Sequence, residues 1–159
     1  TIGTGIEFAF PVDEVVKAVD GIMAFVEQQA KNKTGLSLNA PMALRFVRPS
    51  KAYLAHNYHH HHGKEVTLWC YIEILRINSK NNAEEDAREL ELYRQLQQLL
   101  FMAGGRPHWG LNFDFPFNQQ NLNALYPKYA TWKASFDFFN PSGTFDNDFV
   151  RKSGIRSIA

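Results

Sequence analysis

The chain has 159 residues, of which 45% are hydrophobic and 21% charged, and it carries a net charge of +1. Such a composition is typical of a globular domain long enough to bury a core, and the lack of a lysine or arginine run argues against a nucleic-acid binder. No apolar run approaches the roughly 18 residues that a membrane span requires. The single cysteine, Cys70, excludes an intrachain disulfide, and we favour a cytoplasmic location.

The first predicted elements are a strand over residues 4–10 and a helix from Glu14 to about Lys31. In the strand, Glu7 and Ala9 alternate with three bulky apolar residues and therefore share one face. Asp13 is expected to cap the helix, in which apolar residues recur at helical spacing. Because structured sequence begins so close to the first residue, we expect the chain to be a segment of a longer protein.

Two further strands are predicted on either side of a polar connection. The first covers residues 42–48 and places Arg45 on the face opposite its bulkiest apolar side chains. The connection over residues 50–64 leads into a long strand over 66–77, which is rich in β-branched and aromatic residues. Cys70 lies among the apolar residues of that strand and is expected to be buried and inert.

A second long helix is predicted from Asn82 to about Ala103. Asn82 and the glutamate three residues later have the spacing of a capping box, and Gly104 and Gly105 end the helix. The order strand, helix, strand, strand, helix predicts an α+β fold over residues 1–104, an antiparallel sheet with helices packed on one face. The other sheet face is left free for solvent, a substrate or another domain.

Residues 105–159 are expected to form an irregular, partly helical C-terminal tail, with short helices near 121–125 and 127–138. Many of the thirteen phenylalanines fall in this tail. They could cover another surface, but composition alone favours a place in the core.

The strongest pattern in the chain is an ordered set of landmarks in this tail. Arg106-Pro107-His108-Trp109-Gly110 is followed by Leu125-Tyr126-Pro127 and then by Asn140-Pro141-Ser142-Gly143-Thr144-Phe145. The set resembles the C-terminal end of the aldonolactone and alditol oxidases, a group of vanillyl-alcohol oxidase-like flavoproteins. The pattern in that group is Arg-Pro-His-Trp-Gly-Lys, a Tyr-Pro helix and Asp-Pro-x-x-x-Phe-x-Asn. The resemblance is close from about residue 104 to 149 and looser over residues 7–48.

The resemblance implies a two-domain enzyme that oxidises CH–OH groups of a sugar-derived alcohol or lactone. An N-terminal domain, which this chain lacks, would bind most of the FAD, and this chain would form much of the cap and substrate domain. The expected partners are a small-molecule substrate and the protein's own FAD-binding domain, onto which residues 105–159 would pack. Because the chain has no glycine-rich phosphate loop, we expect it to be inactive alone.

Given the resemblance, catalytic roles are expected for Arg45 and Glu73. A positive group near the flavin stabilises its reduced anion, and a base removes the hydroxyl proton. Trp69 and Tyr71 share a strand face with Glu73 and are expected to line the substrate pocket, although an exposed sheet face would explain these residues equally well. The cofactor-binding residues that the resemblance implies are His108, Trp109, Gly110 and Asn112.

Two positions depart from the pattern of the group. Its Glu-x-Arg is Ala43-Leu44-Arg45 here, so the arginine is present and the acid is missing. Its lysine after His-Trp-Gly is Leu111, for which Asn112 could supply part of the hydrogen bonding. The alternatives are a different substrate, a different acid such as Glu73, or an inactive relative.

A histidine cluster, His56 with His59 to His62, invites a metal interpretation, since imidazole is a common zinc ligand. Consecutive residues rarely chelate one ion, and no cysteine or acid completes a set nearby in the sequence. We therefore expect no metal site and interpret the cluster as a flexible polar loop with adventitious affinity for nickel or zinc.

Two other functions remain open from the sequence. One is a non-catalytic binding or interaction domain descended from such a cap. The other is a branch of the same flavoproteins that acts on sterols or aromatic alcohols. A glycine-rich FAD-binding domain upstream of this chain would favour the enzyme.

Overall fold

The computed structural model describes residues 3–77, 82–112 and 119–156. The strands are β1 (Gly3–Pro11), β2 (Met42–Val47), β3 (His60–His61), β4 (Lys64–Glu65), β5 (Trp69–Ile77) and β6 (Arg106–Pro107). The helices are α1 (Val15–Lys31), α2 (Ala83–Met102), α3 (Gln119–Leu125), α4 (Tyr129–Phe139) and α5 (Asp148–Lys152). Among the described residues, no helix combines the length and the apolar character that crossing a membrane requires.

Four strands form one sheet in the order β2-β5-β1-β6, and each neighbouring pair is antiparallel. The strands β3 and β4 form a separate hairpin inside the predicted polar connection. The predicted α+β fold with an antiparallel sheet is therefore confirmed, and the hairpin is an addition that the sequence patterns did not indicate.

The main core lies between the sheet and the two long helices. Alternate side chains of β1 and β5 point into it, together with one stripe each of α1 and α2, as strand and helix periodicity require. A fully buried aliphatic or aromatic side chain stabilises a fold by about 1.5–3 kcal/mol. The largest buried contributors are Ile6, Phe8, Phe10, Ile22, Ile72, Ile74, Leu92 and Leu96. Cys70 is also buried here, as predicted, and burial raises the pKa of its thiol.

The two long helices begin differently. Asn82 caps α2 as predicted, because its side-chain oxygen accepts hydrogen bonds from the backbone N–H groups of Glu84 and Glu85. The prediction that Asp13 caps the first helix is wrong, since α1 has no side-chain cap. The chain enters α1 through a 3-10 turn, Val12–Glu14, so Asp13 lies inside that turn instead of at the extended position that a cap requires.

A second, smaller core is formed by the C-terminal helices, close to where the sequence places them. Leu122, Tyr126 and Tyr129 are buried in it. In the following loop, the buried Asn140 side chain accepts a hydrogen bond from the backbone of Phe145 and donates one to Asp146. The last of the tail landmarks is therefore a hydrogen-bonded loop that holds the tail in shape.

Several tail phenylalanines do not join this core. The prediction of a core role is wrong for Phe138, Phe139, Phe145 and Phe149, which are exposed. The rings of Phe138 and Phe139, at the C-terminal end of α4, contact each other, with 5.0 Å between their ring centroids, and leave their other surfaces exposed. The phenylalanines at 113, 115 and 117 lie outside the described residues.

Gly105 provides a direct test of the packing between α2 and β1. A Cβ atom at this position would lie 2.4 Å from Phe10 Cζ and 2.9 Å from the Leu100 carbonyl oxygen, and Phe10 is fully buried. We expect Gly105→Ala to lower the free energy of unfolding by at least about 2 kcal/mol, measured by chemical denaturation. Gly21→Ala, inside α1, is the matched control, because a Cβ there would make only an ordinary contact with Leu99, at 3.8 Å. This substitution should raise the free energy of unfolding by about 0.5–1 kcal/mol. Equal effects of the two substitutions would contradict this packing.

Candidate active site on the open sheet face

Three neighbouring strands contribute polar side chains to the sheet face opposite α1 and α2. Arg45 of β2 pairs with Tyr71 of β5. Glu73 of β5 pairs with Ala43 on one side and with Glu7 of β1 on the other. Directly paired residues of an antiparallel sheet place their side chains on the same face, about 4.5–5.5 Å apart. We call the cluster of Glu7, Ala43, Arg45, Tyr71 and Glu73 the open face.

An ion pair between Glu7 and Arg45 organises the open face. Glu7 is only 1% exposed, and one oxygen of its carboxylate accepts a hydrogen bond from the Arg45 guanidinium. The same guanidinium nitrogen lies 3.8 Å from Glu73 Oε2. The hydrogen bond to Glu7 raises the pKa of Arg45, so its positive charge is held between two acids. The Arg45 side chain remains 56% exposed and can meet a ligand.

The structure brings together Arg45 and Glu73, for which catalytic roles are expected, and adds Glu7 to them. Arg45 and Glu73 are neighbours, and Tyr71 lies beneath the guanidinium, whose carbon is 5.9 Å from the ring centroid. Glu7 was assigned no role from the sequence. The signal was present, because an acid that alternates with Ile6, Phe8 and Phe10 in a strand beside a hydrophobic core requires a buried partner.

The expected pocket residues Trp69 and Tyr71 occupy different environments. Tyr71 is half-buried on the open face, and burial followed by the charge of Glu7 raises the pKa of its hydroxyl to about 12. Trp69 is fully buried at one end of this face, where the Arg106 guanidinium carbon lies 4.9 Å from its ring centroid. A small molecule on the open face would therefore meet Tyr71, while Trp69 is covered by His61 and Arg106 at one end of the same face.

The segment after β6 runs along the edge of β1 and presents the residues expected to bind the cofactor. The backbone N–H groups of His108 and Asn112 donate to the carbonyl oxygens of Glu7 and Gly5, at 2.9 and 3.1 Å. The half-buried His108 ring points toward the open face, and the N–H of Gly110 donates to its Nδ1 at 3.1 Å. Gly110 and Asn112 are exposed.

Trp109, in the same segment, points the other way. Its indole N–H donates to the carbonyl oxygen of Leu54 at 2.9 Å. Its ring packs against Tyr126, with 5.4 Å between the ring centroids. Trp109 therefore anchors the segment in the second core, while His108 faces the polar cluster.

The histidine cluster is divided by the fold. The interpretation as a loop is wrong for His60 and His61, which form β3. His61 is buried against Trp69, and this burial lowers the pKa of His61 to about 3. His56 leaves the cluster and lies beside the open face, where its ring centroid is 4.4 Å from that of Tyr71 and 4.9 Å from that of His108. Burial, with the nearby His108 and Arg45, lowers the pKa of His56 to about 4, so its imidazole is neutral at pH 7.

The sequence placed His56 in the histidine cluster and gave it no role at the sheet, because its neighbours in the chain do not indicate that a long connection folds back onto the sheet. Its Nε2 is buried. Ligand atoms of Glu7, His56 and His108 all lie within 4.8 Å of one another. These three residues are the set that could hold a metal ion among the residues that the structure describes.

Arg106, the first landmark of the tail pattern, is buried and holds the connection in place. Its guanidinium donates to the backbone carbonyl oxygens of Tyr58 and His60, at 3.2 and 2.6 Å. It also lies between the rings of Trp69 and Tyr126. Burial lowers its pKa to about 10, which leaves it charged at neutral pH. Arg106 therefore joins the sheet, the connection and the second core.

We expect Arg106→Lys to destabilise the protein by about 2–4 kcal/mol, because a lysine can neither bridge two carbonyl groups in a planar fork nor stack between two aromatic rings. Arg48→Lys, at an exposed arginine, is the control and should change the stability by less than about 0.5 kcal/mol. Chemical denaturation measures both variants. A stability of Arg106→Lys within the range of the control would show that Arg106 does not hold the connection.

The chain is similar in sequence to known proteins. The family model described as D-arabinono-1,4-lactone oxidase matches residues 4–153. L-gulonolactone oxidase from Scyliorhinus torazame is 22% identical over 147 residues, which are 92% of this chain and 30% of that protein. The chain thus spans about a third of the length of this relative. Since the family model matches almost the whole chain, the chain belongs to the D-arabinono-1,4-lactone oxidase family.

Proposed function

We propose that this chain is the cap and substrate-binding part of an FAD-dependent oxidase or dehydrogenase that acts on a CH–OH group of a sugar-derived alcohol or lactone. The observation that carries the proposal is the cluster of Glu7, Arg45 and Glu73 on the open face of a chain that belongs to a lactone oxidase family. The FAD-binding part would lie in the portion of the protein that corresponds to the rest of the relative's length.

Arg45 has the properties of a binding residue for a flavin edge or a lactone oxygen. Its guanidinium is half-exposed, permanently charged and held in place by Glu7. Fixed donors and positive charge of this kind stabilise negative charge that develops during a reaction without needing to reorient. FAD, when bound, supplies the hydride acceptor, and the residues of this chain would orient the substrate and take up its proton.

Glu73 is the proposed base for the hydroxyl proton. The family pattern has an acid two residues before the arginine, where this chain has Ala43. Ala43 and Glu73 are direct partners across β2 and β5, so an acid at either position projects from the same face. Glu73 is 23% exposed and lies beside Arg45. We infer that the acid has been transferred across the strand pair and not lost.

The remaining residues would complete the contact with substrate and cofactor. Tyr71 offers a half-buried ring as a wall of the substrate pocket, and Trp69 supports it. His108, Gly110 and Asn112 present polar groups at the edge of β1, where a flavin could approach, with Trp109 anchoring them.

The protein's own FAD-binding domain is the proposed partner of the tail. Four phenylalanines on the described part of the tail are exposed, and burying such rings against another domain would be favourable. The exposed rings are Phe138, Phe139, Phe145 and Phe149.

Leu111 favours a second candidate function, a non-catalytic binding domain, because it replaces the lysine of the family pattern with a group that cannot bind an anion. The flavin absorbance of the full-length protein distinguishes the two candidate functions. A flavoprotein whose absorbance bleaches when a sugar lactone is added under anaerobic conditions is the enzyme. A colourless protein that cannot be reconstituted with FAD is the binding domain.

We expect Glu73→Gln in the full-length protein to lower kcat at least about 100-fold, because the substituted amide cannot accept the hydroxyl proton. Flavin content and the flavin absorption spectrum should stay unchanged. Glu65→Gln, at an exposed glutamate of β4, is the matched control and should keep full turnover.

The transferred acid can also be moved back. The double variant Ala43→Glu/Glu73→Ala should have a kcat at least about tenfold higher than that of Glu73→Ala, since both positions reach the same face. Unchanged turnover in Glu73→Gln would remove Glu73 from the mechanism. A loss in Glu73→Gln without recovery in the double variant would show that the two positions are not equivalent.

A further inference from the structure

Three side chains from separate parts of the chain meet at the open face. Glu7 comes from the middle of β1, His56 from the connection before β3, and His108 from the segment after β6. Their ligand atoms are all within 4.8 Å of one another. A single point can therefore lie within about 2.8 Å of all three ligand atoms. Zinc–ligand bonds are about 2.0–2.2 Å long, so side-chain shifts below about 1 Å would complete the coordination.

Two of these three residues carry a buried polar atom that lacks a hydrogen-bond partner. Glu7 Oε1 and His56 Nε2 are both buried without a hydrogen bond in the part of the chain that the structure describes. Leaving a polar atom buried and unpaired costs about 1–3 kcal/mol, so each such atom in a folded protein needs an explanation. A cation between them would satisfy a carboxylate oxygen and an imidazole nitrogen together.

We infer that Glu7, His56 and His108 form a binding site for a divalent transition-metal ion of the zinc class, with the remaining coordination positions left to water. Two imidazoles and one carboxylate suit such an ion better than magnesium or calcium, which prefer ligand sets made only of oxygen. The inference depends neither on flavin binding nor on substrate oxidation.

Arg45 lowers the affinity of this site for a metal ion but does not block it. Its guanidinium binds Glu7 Oε2, which leaves Oε1 for the ion. The positive charge of Arg45 also repels a cation, so we expect a dissociation constant in the micromolar range instead of the nanomolar range of closed structural zinc sites.

His108 must change one hydrogen bond when the ion binds. The N–H of Gly110 donates to His108 Nδ1, so the ion would bind the other ring nitrogen, Nε2. Coordination through Nε2 moves the ring proton to Nδ1 and releases the Gly110 N–H to water. This bond is exposed, and its loss costs about 1 kcal/mol, which is small beside the gain from a metal ligand.

The test is a calorimetric titration of zinc chloride into the full-length protein after treatment with a chelator. We expect one ion per chain with micromolar affinity and at least tenfold weaker binding in His56→Gln. The matched control is the triple variant His59→Gln/His60→Gln/His62→Gln, which removes the neighbouring histidines and should bind zinc like the wild type. His108→Gln provides a second ligand variant if circular dichroism shows that His56→Gln is misfolded.

X-ray absorption at the zinc edge identifies the ligands independently of these variants. Two imidazoles with oxygen donors, at about 2.0–2.1 Å, are expected for the site. Zinc binding no tighter than millimolar would overturn the inference. Binding that persists in His56→Gln and disappears in the triple variant, or a shell of three or more imidazoles, would assign the ion to the histidine cluster and overturn it as well.

Discussion

A carboxylate buried in the second strand from one edge of the sheet determines what can surround it. Glu7 occupies β1 between residues that serve the main core, and almost none of its surface is exposed. An ionised carboxylate in such a position is costly unless charged or hydrogen-bonding groups compensate it. Arg45 compensates one oxygen, and His56 and His108 lie close to the same carboxylate. The polar character of the open face follows from this single requirement.

The tail pattern that identified the family divides into supporting and site residues. Arg106 and Trp109 are fixed by backbone carbonyl groups and aromatic rings, and they join the connection to the second core. His108 is the member of this pattern that reaches the open face. Arg106 also holds the backbone at residues 58 and 60, and so it helps to place His56 two positions before that anchor. The two supporting residues thus position the two histidines beside Glu7.

Sequence periodicity predicted the parts of this structure that depend on near neighbours in the chain. The α+β fold, the strands that carry Arg45 and Glu73, and the cap at Asn82 follow from alternation and from the spacing of a capping residue. Asp13 failed as a cap because one intervening 3-10 turn moved it out of the capping position. Boundaries of this kind depend on backbone geometry that residue types specify only weakly.

The remaining features depend on contacts between distant residues. Glu7 and Arg45 meet because β1 and β2 lie on either side of β5, a strand order that no local pattern encodes. His56 joins them only because the connection is held against the sheet by Arg106, fifty residues later in the chain. That Ala43 and Glu73 are direct partners, and so share a face, becomes visible only in the strand register. Site residues of this kind can be recognised once the sheet order is known.

A double-mutant cycle of Glu7→Gln and Arg45→Met tests most directly whether the buried carboxylate holds the guanidinium on the open face. The free energy of unfolding is measured for the wild type, the two single variants and the double variant. We expect a coupling energy of at least about 1 kcal/mol, because the double variant removes both members of a partly buried pair and each single variant leaves one unpaired. A coupling energy within about 0.3 kcal/mol of zero would show that the two residues are independent and would contradict this account of the site.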